Sequence, residues 1–301
     1  MTERSLRVLE FHKIRAQLEQ SCVSDMGREL ARRLVPSSRI EDVRRMQQET
    51  EEAQSLLAYL GGTPMLPFTD VRTALHLAQI GSSLSPRALM DVGACLRASR
   101  AARDALVTER EDTPLMTAHA SRLRAFRDIE QAIAGAILSE DEIADRASPE
   151  LFSVRRKMRA CNERVRERLN GMIHSPNFQK YLQESIITMR ADRYVLPVRQ
   201  EYRAMVPGIV HDQSSTGATV FVEPMAVVEI GNELKQLISA EKAEIDRILR
   251  ALSAQIAPEA DAMADNLAIL AQLDFAFAKA SLARQLNACA PKINGEGRIR
   301  I

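Results

Sequence analysis

Apolar residues recur at steps of three and four along two long stretches of this chain. The first stretch carries Leu151, Val154, Met158, Cys161, Val165, Leu169 and Met172. The second carries Ile230, Leu234, Leu237, Ile245, Ile248, Leu252 and Ile256. Such spacing draws an apolar stripe along a helix, and its heptad-like repeat predicts that the two helices pair. Between them the period drops toward two. Tyr194, Leu196 and Val198 alternate with Val195, Pro197 and Arg199. Residues 208–212 and 219–223 flank the turn-rich Gln213-Ser214-Ser215-Thr216-Gly217-Ala218, the pattern of a hairpin with a longer loop. Pro197 cannot donate to a ladder, which predicts an edge strand or a bulge there.

Charge sharpens the pairing. Residues 155–168 hold Arg155, Arg156, Lys157, Arg159, Arg164, Arg166 and Arg168 against Glu163 and Glu167. The second helix offers Glu229, Glu233, Glu241, Glu244 and Asp246 against Lys235, Lys242 and Arg247. Opposite charges flanking the two stripes predict an antiparallel pair across the β-segment.

The remainder reads as shorter helices. Ser38 with Glu41 looks like a capping box, and Gly61 closes that helix. Residues 61–68 form a Gly- and Pro-punctuated loop. Thr69 or Asp70 caps a helix that stops near Gly81. Ser85-Pro86 and Ser148-Pro149 are start signals, with proline at the first helical position. A break is expected near Ala257-Pro258, followed by a helix through Leu267, Leu270, Leu273, Phe277 and Leu282. From Gly295 the chain looks like a strand beginning. The expected architecture is mainly α: a helical core bundle, long antiparallel coiled-coil lever helices, and a small antiparallel β clamp. Its divisions are 1–147 core, 148–177 first lever, 178–224 clamp, 225–258 second lever, and 259–301 return to the core.

Composition narrows the functions. The 301 residues are 46% hydrophobic and 27% charged, enough for a buried core and a solvated surface. The net charge is +1, so a claim of nucleic-acid binding must rest on local distribution. Tryptophan is absent and aromatics are 4%, which argues against a surface built mainly on base stacking. No apolar run suits a membrane span, and the charged start Met1-Thr2-Glu3-Arg4 lacks an export signal's apolar segment, so a cytoplasmic location is expected. Cys22, Cys95, Cys161 and Cys289 are scattered, as buried reduced thiols would be.

No catalytic, cofactor or metal constellation stands out, and no small-molecule substrate is expected. His211-Asp212 are adjacent strand residues that should point to opposite faces. Glu233-Leu234-Lys235 has a nuclease-like spacing but sits on a lever helix as a solvated face. For nucleic-acid contact the candidates are Lys180, Arg190, Arg193, Arg199 and Arg203, with the hydroxyls of Ser214, Ser215 and Thr216. Five acidic residues between 178 and 224 balance those five bases.

One string is more specific. Arg193-Tyr194-Val195-Leu196-Pro197-Val198 leads to residues 208–219, Gly-Ile-Val-His-Asp-Gln-Ser-Ser-Thr-Gly-Ala-Thr, then Val222-Glu223-Pro224 and Asn232-Glu233-Leu234. With residues 6–11, 96–100, 148–151 and Leu273-Asp274-Phe275, the chain resembles the MutS family, in particular its second bacterial type, the MutS-two endonucleases. The resemblance implies the core, lever and clamp architecture, homodimers around nucleic acid, and an ATPase domain using ATP and Mg after this segment. It also implies a C-terminal Smr nuclease, with branched DNA (suppression of recombination) or collided ribosomes (splitting and rescue) as targets. This sequence has no G-x-x-x-x-G-K-[ST] phosphate loop, so neither ATP hydrolysis nor cleavage is expected of its own residues. The alternative is a structural coiled-coil adaptor binding a protein partner.

Overall fold

The computed structural model describes residues 3–295, in two compact units. One unit comprises residues up to Glu142 together with those from Leu249 onward. It opens with α1 (Glu3–Val8), α2 (Phe11–Ser21), α3 (Asp25–Arg33) and α4 (Ile40–Leu60). It continues with α5 (Arg72–Gln79), α6 (Pro86–Leu106), α7 (Pro114–Ser121) and α8 (Arg127–Ala136). Ser85 starts α6 as expected, its hydroxyl accepting from Ala88 N. The capping box at Ser38 is not formed. Arg39 takes the N-cap position of α4 with no side-chain cap, while Ser37 Oγ accepts from Arg39 N in a local bend upstream. Thr69 does not cap α5 either. Val71 holds that position, and Asp70 Oδ1 accepts from Arg72 N one residue further on.

The second unit spans Ile143–Ile248. It contains α9 (Pro149–Ile173), the short α10 (Pro176–Gln179), β1 (Thr188–Arg190), β2 (Arg193–Arg199), β3 (Gly208–Gln213) and β4 (Thr219–Pro224). α11 (Met225–Ile256) follows directly from β4. After a 3-10 turn at Ala257–Glu259, α12 (Ala260–Gln285) belongs to the first unit. It packs against α2, α3, α4, α5, α6 and α7. That placement explains why Met263, Leu267, Leu270, Leu273 and Phe277 are buried together with Ile269, Ala271 and Ala278 on its other sides. The strand expected beyond Gly295 lies outside the described residues. Among those described, no helix is long and apolar enough to cross a membrane.

The four strands form an antiparallel sheet in the order β1-β2-β4-β3. Its core side is built from Leu196, Val198, Val220 and Val222. These cluster with Cys161, Val165, Leu169 and Ile173 of α9 and with Val227, Ile230 and Leu234 of α11. Burying each large side chain in this cluster contributes about 1.5–3 kcal/mol. The C-terminal half of the α9 stripe and the N-terminal part of the α11 stripe are therefore the faces on which the sheet rests.

Pro197 departs from expectation, because β2 is an inner strand of the sheet. Its nitrogen lies on the same side of β2 as Arg199 N, which donates to Tyr181 O at 3.0 Å. On that side β1 pairs only as far as Val195, and Leu182 bridges Val198. The missing donor thus faces the break between these two neighbours, a local edge inside the sheet. The bulge sits elsewhere, in β3 between Val210 and Asp212.

Candidate nucleic-acid interface

The bulge decides where His211 goes. Val210 opposes Val222 and Asp212 opposes Phe221, leaving His211 as the extra residue. Its Nε2 lies 2.7 Å from Glu223 Oε2. The expectation that His211 and Asp212 alternate across the sheet fails here, since a bulge breaks strict alternation. Glu223 is 1% exposed. Its other oxygen accepts from Arg193 Nη1 at 3.2 Å, and Arg193 Nη2 donates to Asn232 Oδ1 of α11 at 2.8 Å. A buried carboxylate is tolerable only when answered in this way. Gly231 lets α11 come close enough. A Cβ there would lie 2.6 Å from Glu223 Oε1 and 2.8 Å from Arg193 Nη1.

The five basic candidates separate into two groups. Pairing of Arg190 with Arg193, Arg199 with Thr219, and Pro197 with Phe221 places Arg190, Arg193 and Arg199 on one face of the sheet. Arg190 stacks over the Phe221 ring at 4.4 Å and pairs with Asp212 at 3.2 Å. Arg193 is held by Glu223 and Asn232. Arg203 donates to Val206 O at 3.0 Å and Gly208 O at 2.8 Å, tying down the turn before β3. Lys180 and Arg199 are exposed, and among the described residues neither has an acidic partner. Lys180 Nζ sits 5.0 Å from the Tyr181 ring centroid. The Arg199 N to Tyr181 O bond brings both cations to the same end of the sheet.

The β3–β4 loop lies at that end too, because Gln200 N donates to Ala218 O at 3.0 Å. Ser214 organises it: its N donates to Thr219 O at 2.8 Å and its Oγ accepts from Thr219 N at 3.1 Å. Gly217 N donates to Ser214 O at 2.9 Å, with Gly217 at φ 73°, a left-handed value that suits glycine. Ser215 and Thr216 are exposed. Among the described residues their backbone N–H groups have no acceptor.

Aromatic rings gather beside these groups. Tyr181 and Tyr202 have centroids 5.5 Å apart, and Phe178 meets Tyr181 edge-on at 6.1 Å. The low overall aromatic content hid this cluster. Tyr181, Tyr202, Glu223 and Asn232 escaped the sequence reading as site residues. A usable signal existed: three of the chain's four tyrosines fall between 181 and 202.

On the levers, Arg155 Nε donates to Glu241 at 2.7 Å and Arg164 to Glu233 at 3.1 Å. Rising numbers on α9 meet falling numbers on α11, so this pair is antiparallel. Ser148 caps Leu151 N and donates to Glu244 at 2.6 Å. Arg247 and Ser148 together hold the Glu244 carboxyl down to about 2. Arg159 turns to Asp145 instead. Arg156, Lys157, Arg166 and Arg168 are exposed, with no acidic partner among the described residues. Arg168 also lines a cleft of about 660 Å³ with Arg164, Met172 and Ile230. The described residues bring together no group of three or more His, Cys, Asp or Glu side chains able to hold a metal ion.

No protein-family model matches the chain. Curated relatives match it from end to end. An Endonuclease MutS2 of Alkaliphilus oremlandii (strain OhILAs) is 44% identical over 303 residues, covering all of this chain. One of Geobacillus sp. (strain WCH70) is 44% identical over 304 residues, again covering all of it. One of Bacillus cereus (strain ATCC 10987 / NRS 248) is 40% identical over 299 residues, covering 98%. The chain spans 38% of the first and third relatives and 39% of the second.

Proposed function

We propose that this chain, which matches the N-terminal part of the MutS2 endonucleases along its whole length, is the arm with which such an endonuclease grips nucleic acid. The single observation behind this reading is the end of the sheet where Lys180 and Arg199 stand exposed beside hydroxyls and open backbone N–H groups. Phosphates are recognised by this combination, and such contacts position a protein without reading sequence. Arg156, Lys157, Arg166 and Arg168 extend the cationic surface along α9. In this reading the assembled protein is a homodimer, two arms close on one target, and effective concentration makes a weak single grip adequate. An ATPase domain using ATP and Mg drives the closure, and a separate nuclease cuts. Branched DNA and the collided ribosome are the two targets, and the arm itself carries no catalysis.

The test is a titration with branched DNA and with ribosomes at several salt concentrations. Reversing Lys180 and Arg199 to glutamate should weaken binding and flatten the dependence of log K on log salt by about 1.8 on duplex DNA. An unchanged slope would remove this end of the sheet from the contact.

A second reading, an adaptor for a protein partner, draws on exposed apolar groups. Met189 on β1, Ile209 and Val210 on β3, and Ile186 before β1 are each between 43% and 50% exposed. A stoichiometric protein complex that survives nuclease treatment, together with indifference to salt, would favour it.

A further inference from the structure

We propose that the sheet end carrying Lys180, Tyr181, Arg199, Tyr202, Ser215 and Thr216 takes an unpaired nucleotide, and so prefers single-stranded nucleic acid over duplex. This rests on the nucleic-acid reading above and adds the class of strand. Two features of the structure point to it.

The first is the distribution of charge. Arg190, Arg193 and Arg203 are engaged by Asp212, by Glu223 with Asn232, and by backbone carbonyls. The remaining two cations of the clamp converge at one end, next to the free N–H groups of Ser215 and Thr216. A phosphate there meets charge and amide donors together.

The second feature is aromatic. Tyr181 and Tyr202 are half-buried, so each ring keeps part of its surface in solvent. Neither hydroxyl has a hydrogen-bond partner among the described residues, in contrast to Tyr194, whose hydroxyl donates to Asn162 Oδ1 at 2.9 Å. Tyr194 and Tyr181 both pack against the buried cluster; Tyr202 is outside that cluster, against Tyr181 and beside the two cations that lack acidic partners. Cations for the backbone and rings for the bases are the two parts of a single-strand site. In a duplex the base faces are covered by their neighbours, so the rings have nothing to stack on. In a loop, gap or branch point a base can turn out onto them.

The experiment measures binding of the whole 301-residue chain to three labelled probes at low salt. These are a thymidine strand of about sixteen nucleotides, its duplex, and an abasic strand of equal length that carries phosphates without bases. The strand should bind about tenfold more tightly than the abasic probe, the gain expected from one or two stacked bases. Tyr202→Leu should abolish that preference, leaving abasic binding unchanged. Tyr202→Phe, which keeps the ring, should restore it. Lys180→Glu with Arg199→Glu should weaken all three probes alike. A strand carrying iodouracil, irradiated with the unaltered chain, should crosslink to the peptide holding Tyr202, a readout independent of any variant's folding. Equal affinity for the strand and the abasic probe, or crosslinks elsewhere, overturns the single-strand inference while the broader reading stands. Failure of every probe to bind at the lowest salt removes the broader reading and this inference with it.

Discussion

Asp274 in the helical unit and Glu223 in the sheet unit are both 1% exposed carboxylates, yet they are satisfied in opposite ways. Asp274 accepts from Val23 N at 3.0 Å, Ser24 N at 2.9 Å and Ser24 Oγ at 2.5 Å. Ser24 Oγ in turn accepts from Gly27 N, starting α3. Every donor is main chain or a short hydroxyl, so the arrangement has almost no freedom. Glu223 accepts from the long Arg193 side chain and meets His211, both partly open to solvent. One carboxylate fastens a helix start onto α12; the other joins β2, β3, β4 and α11 through long side chains. Buried charge is thus answered by short local donors in the helical unit and by long side chains in the sheet unit, at the end of β2 away from Arg199.

Removing the carboxylates tests this contrast most strongly. Asp274→Ala leaves two backbone donors without partners and should cost about 4 kcal/mol. Glu223→Ala should cost about 2 kcal/mol, since Arg193 keeps Asn232 and His211 can turn outward. Urea unfolding of the two variants gives the comparison directly. An equal or larger loss for Glu223→Ala would show that the sheet's node is as rigid as the other.

The glycines beside each carboxylate offer a finer probe. A Cβ on Gly27 would lie 2.2 Å from Asp274 Oδ2 and 2.8 Å from its Cγ, against a side chain that cannot retreat. Gly27→Ala should cost about 3 kcal/mol. Gly231→Ala meets only the far ends of Glu223 and Arg193, and should cost about 1 kcal/mol. Thermal melts in one buffer would rank the two, and a reversed order would contradict the contrast between short local donors and long side chains.

The smallest effect concerns acid. Arg247 and Ser148 lower the Glu244 carboxyl from 4.5 to about 2. A carboxyl depressed by folding contributes stability above its unfolded value and loses it as pH falls through the folded one. The tie between the start of α9 and α11 should therefore weaken as pH drops from about 4.5 to about 2. Side-chain NMR of Glu244 would give its titration midpoint. Glu244→Gln should remove that part of the acid sensitivity.

Much of this was legible in the residues alone. The two helical stripes, the hairpin around the Ser214–Gly217 loop, and the starts at Ser85 and Ser148 depend on groups a few positions apart. The complementary charge of the two stripes was legible as well, but not which residues meet: Arg155 and Arg164 reach Glu241 and Glu233, whereas Arg159 turns to Asp145. Sequence reasoning failed where local alternatives were nearly equal. Ser37 and Ser38 compete for the same turn, and the start of α4 went to neither. Pro197 obeyed its rule at a gap in the ladder rather than at the sheet's rim.

The sequence by itself determined the period of each segment, and with it the order of helices and strands, because periodicity is written in neighbouring side chains. Only the tertiary structure decided which cations remain available. Arg190, Arg193 and Arg203 look the same as Lys180 and Arg199 along the chain. An ion pair acts over a few ångströms of space, and the one-residue bulge at His211 fixes which groups Asp212 and Glu223 can reach. Arg190 and Arg193 are thereby paired with Asp212 and Glu223, Arg203 is taken by backbone carbonyls, and two bases are left without acidic partners beside the tyrosines.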